Sequence, residues 1–250
     1  MHFNGEKKML YWAKHKTLIE KEVAMQYQNV VKASFIERPN RFIAHVRMGE
    51  ELLCVHVKNT GRCRELLVPG ATVYLEEGTN PNRKTKYDLI AVEKGNRIIN
   101  IDSQAPNQIF AEWVEAGGFG PDVTEIHREY SYGDSRLDFC LETGKGLHFV
   151  EVKGVTLEVD GAARFPDAPT ERGIKHIREL RRAVEEGFEA TLFFVIQMES
   201  IKSMAPNDAT HPAFGETLRQ AAAAGVRVCA YDCSVAPDRV VMRESVPVLL

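Results

Sequence analysis

Hydrophobic and polar positions alternate in short runs between residues 30 and 101, and turn residues separate the runs. A period of two is typical of half-buried strands, and short strands at close spacing are typical of a small closed barrel or sandwich. The predicted strands cover residues 30–36, 41–48, 52–58, 72–77, 87–93 and 97–101. At this size we expect a barrel of the oligonucleotide-binding (OB) type.

The pattern after residue 107 mixes strands with helices. Apolar residues at steps of three and four predict a helix that begins at the N-cap Thr170 and ends near Glu186. The other predicted elements are a helix at 108–115, strands at 125–132, 136–141, 147–153, 191–196 and 226–232, and a helix at 214–224. Strand–helix–strand order implies parallel neighbours, so we expect a mixed sheet with flanking helices.

These patterns predict a two-domain protein of the α+β or α/β class. Residues 1–24 are expected to form an extension or a frayed helix ahead of the fold. The predicted barrel covers residues 25–103, and the mixed sheet with its helices covers residues 104–250. Residues 160–170 are expected to form a loop that leads into the long helix.

The overall charge gives no sign of a nucleic-acid partner, because the formal net charge is -3. Such a partner would need a local basic patch. Two predicted barrel loops, residues 58–64 and 82–86, carry several lysines and arginines. They either follow a phosphate backbone or are ordinary solvated loops, and composition alone favours the second interpretation.

Cysteine usage and hydropathy bear on location. The five cysteines are an odd number without the spacing of a disulfide framework, which favours free thiols in a reducing cytoplasm. No apolar run reaches the length of a membrane span, so we expect a cytoplasmic protein with no membrane partner. A homodimer is compatible with the predicted fold.

The predicted hairpin at residues 136–153 carries charges that are unusual for a core strand. Glu151 and Lys153 are two positions apart and therefore project from the same face, and pairing around the turn brings Asp138 across from them. Two carboxylates suit a hard divalent cation such as Mg²⁺, and a lysine beside them suits phosphodiester chemistry. The alternative is a structural ion pair on the sheet surface.

Several motifs, taken together and in this order, resemble the sugar fermentation stimulation protein A (SfsA) family. The resemblance covers the chain from about Met25 to its end. It rests on NTGR at 59–62, SRLDF at 135–139, EVKG at 151–154, FPDAPTERG at 165–173, and His176. It implies an OB-like barrel followed by a domain similar to the PD-(D/E)XK nucleases. In that comparison Asp138 matches the first acidic residue, Glu151 the second, and Lys153 the lysine.

The resemblance implies a metal-dependent nuclease that hydrolyses phosphodiester bonds in DNA or RNA. Asp138 and Glu151, with the Val152 carbonyl, would hold Mg²⁺ or Mn²⁺, and Lys153 would position the attacking water. Family members are described as DNA-binding, and the family name implies a role in sugar metabolism genes. The alternatives are therefore a non-catalytic DNA-binding regulator and an enzyme that acts on a small nucleotide.

Other residues are expected to support this site. Glu129, on the strand before the hairpin, is a candidate third carboxylate for the metal, and Glu112 on the preceding helix is a second candidate. Glu129 is equally compatible with the role of an exposed strand residue, and Glu112 is the less favoured of the two candidates. The predicted nucleic-acid-binding residues are Asn59, Arg62 and Arg64 on the barrel, and Arg172 and His176, one turn apart on the long helix.

Overall fold

A computed structural model describes residues 24–250 of the chain. Apart from residue 24, the predicted N-terminal extension lies outside the described residues. The strands of the first half are β1 (Met25–Gln26), β2 (Val30–Glu37), β3 (Ile43–Met48), β4 (Glu51–Val57), β5 (Thr72–Glu77), β6 (Tyr87–Lys94) and β7 (Arg97–Asn100).

The first half closes into a five-stranded barrel, as the alternating pattern predicts. Strands pair in the order β4-β3-β2-β5-β6-β7, and a parallel contact between β4 and β6 closes the ring. Ala44, Val46, Val55 and Val57 alternate with more exposed neighbours and are buried inside it. The alternation therefore fixes which face of each strand points into the barrel.

The second half contains three helices and nine further strands. The helices are α1 (Ala105–Glu115), α2 (Glu171–Glu185) and α3 (Pro212–Ala223). The strands are β8 (Val123–Tyr132), β9 (Ser135–Thr143), β10 (Gly146–Val155), β11 (Leu157–Val159), β12 (Ala162–Phe165), β13 (Glu189–Ile196), β14 (Ser203–Pro206), β15 (Arg227–Ala236) and β16 (Arg239–Ser245).

Seven strands form a mixed sheet in the order β1-β16-β15-β13-β10-β9-β8. β13 pairs in parallel with both β10 and β15, which confirms the neighbours expected from strand–helix–strand order. Residues of α1 join the core on one face with Phe139 and Phe193, whereas residues of α2 and α3 join the core on the other with Phe149 and Phe194. None of the helices in residues 24–250 is both long and apolar enough to cross a membrane.

Three details differ from the sequence prediction. Residues 160–170 are not only a loop, because β12 lies there and forms a three-stranded sheet with β11 and β14. The strand β16, which lies between β1 and β15, was not expected. β1, which the predicted boundary at residue 25 assigns to the barrel, pairs instead with β16 of the second domain. The strands β1, β11 and β12 have two to four residues each, which is too few for an alternating period to be recognised in the sequence.

Polar side chains are buried where the two domains meet. Lys58, at the end of β4, places Nζ 2.6 Å from Asp102 Oδ2, and the Asp102 side chain is fully buried. Asn100 donates to the Tyr27 hydroxyl at 2.8 Å. Gln197 Nε2, which follows β13, donates to Asn100 Oδ1 at 2.7 Å and to the Asp102 carbonyl at 2.9 Å. The barrel and the mixed sheet are therefore joined by a continuous buried network.

Candidate active site

Asp138 lies where β9 and β10 stop pairing. The last paired residues are Phe139 and Val150, so the next amide of β10 that faces this gap needs another acceptor. Asp138 Oδ2 accepts from the Val152 amide at 2.8 Å, and its Oδ1 accepts from Asn107 Nδ2, on α1, at 3.0 Å. The carboxylate is thereby held at the open end of the hairpin, across from Glu151 as the sequence predicts.

Glu151 is almost completely buried, at 1% exposure, and faces α2. Its Oε1 atom accepts short hydrogen bonds from both Lys153 Nζ and His176 Nδ1. His176 is buried, and its other ring nitrogen, Nε2, lies 3.5 Å from the Arg172 Nε donor. The structure therefore brings Asp138, Glu151 and Lys153 together as predicted and adds His176 as a direct partner of Glu151.

The second carboxylate oxygen of Glu151 has no hydrogen-bond partner in residues 24–250, although it is buried. A buried acceptor left unpaired is costly, so native proteins usually supply a donor, a water or an ion. A hard divalent cation beside Asp138 would satisfy this oxygen with the ligand type that it prefers. The residues present therefore fit the metal that the sequence implies.

The two carboxyl groups differ in acidity. Burial, and then repulsion from Glu151, raises the pKa of Asp138 despite the nearby Lys153 ammonium. Burial also acts to raise the pKa of Glu151, but the His176 hydrogen bond and the Lys153 charge outweigh it and hold that pKa below its ordinary value. Glu151 is therefore the more firmly ionised carboxylate of the pair.

The two candidate third carboxylates are placed differently. Glu129, on β8, is exposed and has a left-handed φ of 54°, and its Oε2 lies 3.1 Å from Arg136 Nε. The structure therefore pairs Glu129 with Arg136, and its role at a metal stays a prediction. Glu112 Oε1 accepts from Gln108 at 2.9 Å, while its Oε2 is buried without a partner in the described chain.

A second group of possible metal ligands lies further along β8 and β9. One ligand atom from each of Glu125, His127 and Glu142 falls within 4.8 Å of the others. Glu142 is four residues from Asp138 on β9, or about 13 Å along the strand, so this group is separate. The sequence analysis missed it. The available signal was the Glu125-x-His127 spacing, which puts both side chains on one face of β8, opposite Glu142.

The basic loop at residues 58–64 has some side chains in internal contacts and others exposed to solvent. Lys58 is paired with Asp102, and Asn59 uses its side chain internally, donating to the Ile101 carbonyl at 2.8 Å and accepting from the Gly61 amide at 2.7 Å. Arg62 and Arg64 are exposed and line a cleft of about 900 Å³. Only these two of the predicted barrel residues therefore present free cationic groups to a cleft.

The second basic loop is also partly structural. Arg83 Nη1 donates to Asp88 at 2.9 Å, and Lys86 Nζ lies 3.1 Å from Glu77. The alternative in which the whole of residues 82–86 follows a phosphate backbone, which composition alone did not favour, is therefore too broad. Of its basic residues, Lys84 forms no ion pair with residues 24–250.

Family models match most of the chain. The model described as "SfsA N-terminal OB domain" matches residues 36–101, and the model described as "Sugar fermentation stimulation protein RE domain" matches residues 104–239. A sugar fermentation stimulation protein homolog of Desulfitobacterium hafniense is 55% identical over 227 residues, which cover 90% of this chain and 99% of the relative. A homolog of Clostridium beijerinckii is 52% identical over 227 residues, with 90% and 100% coverage.

One solved structure is similar over nearly the whole described chain. The SfsA structure of Pyrococcus furiosus in complex with Ca²⁺ aligns with a TM-score of 0.84 at 29% identity, covering 90% of this chain and 98% of that one. The barrel, the mixed sheet and the order of the motifs agree with these matches. The chain therefore belongs to the sugar fermentation stimulation protein A family.

Proposed function

We propose that this protein is a metal-dependent nuclease that hydrolyses phosphodiester bonds in DNA or RNA. The observation that carries the proposal is the buried, unpartnered oxygen of Glu151 beside Asp138 and Lys153. A protein that only bound nucleic acid would gain nothing from an incompletely satisfied carboxylate in its core. In this proposal the N-terminal barrel holds the nucleic acid.

Each residue has a stated role. Asp138 and Glu151, with the Val152 carbonyl, would hold Mg²⁺ or Mn²⁺. When bound there, the ion would supply a lowered pKa for a coordinated water and stabilisation of charge on the phosphate. Lys153 presents its ammonium beside Glu151, where it orients the attacking water and offsets the negative charge of the phosphate. His176 is a positioning residue, because its hydrogen bond fixes the Glu151 carboxylate.

The structure of the Pyrococcus furiosus relative in complex with Ca²⁺ supports a divalent cation in this family. Ca²⁺ and Mg²⁺ both take oxygen ligands, and Mg²⁺ keeps more of its own waters. Those waters suit the proposed hydrolysis, which needs a nucleophile near the phosphate. We therefore propose Mg²⁺ or Mn²⁺ as the active ion.

The test is cleavage of labelled single- and double-stranded DNA and RNA with Mg²⁺, Mn²⁺ or EDTA. We expect cleavage that EDTA stops and that Asp138→Asn and Lys153→Met each abolish. The matched controls are Asp134→Asn and Lys145→Met, which change the exposed Asp134 before β9 and the exposed Lys145 at the hairpin turn. Both controls should cut like the unchanged protein.

Two results would overturn the proposal. Cleavage by the Asp138 and Lys153 variants at the normal rate would place the chemistry elsewhere. Retarded but uncut substrate under every metal condition would favour the non-catalytic DNA-binding regulator.

The cytoplasmic location and the homodimer also stay predictions. Light scattering of the purified protein would decide whether it is a homodimer.

A further inference from the structure

The cleft that contains Arg62 and Arg64 lies between the two domains. On one side it is lined by Arg38, Asn40 and Arg41, from the connection between β2 and β3, and by the loop after β4. On the other side it is lined by residues 165–170, which lead into α2. Its volume of about 900 Å³ is that of a site for an extended ligand of modest width.

The cleft carries an excess of positive charge. Four arginines line it, against two acidic residues. Glu37 is paired with His45 at 2.8 Å, and Asp167 accepts from the Arg62 amide at 3.1 Å. The arginines that form no ion pair within residues 24–250 are Arg41, Arg62 and Arg64. A polyanion entering here would therefore meet cations that no carboxylate neutralises.

The fourth arginine, Arg38, holds the cleft wall in place. Its guanidinium donates to the carbonyls of Arg41, Gly61 and Arg62 at 2.7, 2.8 and 3.0 Å. The connection between β2 and β3 and the loop after β4 are thus tied together before any ligand arrives. A wall that is already ordered loses less conformational entropy on binding.

An exposed aromatic residue adjoins one of these arginines in the chain. Phe42 follows Arg41 directly and is 56% exposed, which is unusual for a phenylalanine. Its backbone is fixed, because the amides of Phe42 and Ile43 donate to Asn40 Oδ1 at 2.9 and 3.1 Å. OB-type barrels bind single strands by combining exposed aromatic side chains, which stack on bases, with cations that neutralise phosphates, and Phe42 and the unpaired arginines supply both on this barrel.

The cleft shares one residue with the helix that carries His176. Thr170 lines it and caps α2, accepting from the Gly173 amide at 3.0 Å. His176, which contacts Glu151, lies six residues further along, or about 9 Å along the helix axis. A strand held in the cleft can therefore extend to the metal-binding carboxylates within a short distance.

We propose that this cleft binds single-stranded nucleic acid, with Arg41, Arg62 and Arg64 on the backbone and Phe42 stacked on an unpaired base. The substrate of the proposed nuclease is accordingly a single strand or the single-stranded portion of a larger molecule. The assignment of a substrate rests on the proposed nuclease function, but the binding test of the cleft does not depend on cleavage. A base within a duplex has both faces covered by its neighbours and cannot stack on Phe42.

The experiment is fluorescence anisotropy in EDTA, with labelled oligothymidine of about 16 nucleotides and a duplex of equal length. We expect the full-length protein to prefer the single strand. Phe42→Ala should weaken single-strand binding about five- to a hundred-fold, the range for losing one stacked base, and leave duplex binding unchanged. Phe42→Trp should keep the affinity. Arg41→Gln should reduce the dependence on log salt by about 0.7 for one lost phosphate contact.

Leu52→Ala and Arg47→Gln are the matched controls, because both residues are exposed on the same barrel and, unlike Phe42, neither directly follows or precedes a residue that lines the cleft. The proposal is overturned if Phe42→Ala weakens both substrates equally, or if it weakens the single strand no more than Leu52→Ala does. Because EDTA blocks metal-dependent cleavage, single-strand binding without cleavage in Mg²⁺ would refute the nuclease and leave the cleft assignment standing. Cleavage of the duplex, together with no preference for binding the single strand, would support the nuclease and refute the cleft assignment.

Discussion

Glu151 combines burial, charge and an unpartnered oxygen in one side chain. Its Oε1 atom takes hydrogen bonds from Lys153 and His176, and its Oε2 atom takes none from the described residues. The first set of contacts holds the carboxylate ionised and fixed in direction. The second leaves one buried oxygen unsatisfied at a cost in stability, which is the arrangement that the proposed metal site requires.

His176 should therefore affect metal binding without touching the metal. We expect His176→Gln to weaken Mn²⁺ binding about 10- to 100-fold, the usual range for losing a partner that orients a ligand. Isothermal titration calorimetry measures this directly. The control is His45→Gln, which removes an imidazole from the barrel, away from Glu151. Equal Mn²⁺ affinities in the two variants would show that His176 does not position Glu151 for the metal.

His148 makes stability depend on pH in a defined direction. Burial lowers its pKa, and its ring lies between Glu189 and Thr191. The unfolded chain therefore binds a proton at its ordinary pKa of about 6.5, while the folded chain does not. The contribution of His148 to the free energy of unfolding is therefore fully present above about pH 6.5. As the pH falls below that value, the contribution declines by up to about 1.4 kcal/mol per pH unit, until the lowered pKa of the folded state is reached.

Urea unfolding at several pH values between about 7.5 and 5.5 tests this around the unfolded pKa. His148→Gln should lower the free energy of unfolding at every pH but should flatten its decline below pH 6.5. A parallel decline in the His148 variant and the unchanged protein would show that another group causes the pH dependence.

The site residues differ in how far the sequence could predict them. Strand periodicity places Glu151 and Lys153 on one face and Asp138 opposite, and the structure agrees. Strand periodicity cannot show that Glu151 has an unpartnered oxygen, because that depends on every atom around the carboxylate. Helical spacing placed Arg172 and His176 together, but only the packing of α2 on the sheet buries one of them and exposes the other.

At the level of elements, the loop after β4 is shaped by a close approach at Gly61. A Cβ atom there would lie 2.7 Å from Asp167 Oδ2 and 2.8 Å from Asn59 Oδ1. Both oxygens already accept backbone hydrogen bonds, from the amides of Arg62 and Gly61 respectively. The loop therefore contacts the second domain through a position where only glycine fits without displacement.

Gly61→Ala should move this loop and disturb both the junction and the proposed cleft. We expect a loss of about 1–3 kcal/mol in the free energy of unfolding, the range for overpacking, with weaker single-strand binding. Urea unfolding and anisotropy measure the two effects. Gly144→Ala is the matched control, because a Cβ at Gly144 meets nothing within 4 Å. Equal stability of the two variants would show that Asp167 and Asn59 can retreat freely.

Most elements could be predicted from periodicity alone, because the barrel strands, the hairpin and α2 each have several alternating or helical positions. α1 begins at Ala105, ahead of the predicted start at 108, since Pro106 fits the first turn of a helix rather than a linker. β11, β12 and β14 have only three or four residues each, too few for a period. Their pairing is set by tertiary contacts.

At the scale of the whole molecule, the buried Lys58–Asp102 pair joins the barrel to the second domain. Asp102→Asn would leave the Lys58 ammonium largely buried without its counter-charge. We expect a loss of about 3–5 kcal/mol in the free energy of unfolding, the usual result of removing one partner from a buried pair. Thermal and urea unfolding measure the loss, and barrel and sheet should then unfold in separate steps.

The control is Glu185→Gln, which breaks the exposed Arg181–Glu185 pair on α2. Exposed pairs of this kind contribute about 0.3–0.5 kcal/mol, so this variant should stay close to the unchanged protein. Similar stabilities for Asp102→Asn and Glu185→Gln would mean that the junction does not couple the domains.

The sequence predicted two domains but not the contacts that couple them, because Gln197 and Asn100 are 97 residues apart.

The pairing of β1 with β16 makes the barrel an insertion rather than an appendage. The chain first contributes Met25–Gln26 to the edge of the seven-stranded sheet, where the Tyr27 amide also donates to the Asp238 carbonyl at 2.8 Å. It then builds the barrel and returns to the same domain at α1. A single protease cut in the barrel would leave both fragments anchored in one sheet. The barrel is thus tethered twice, and its separation from the sheet would require the loss of both attachments.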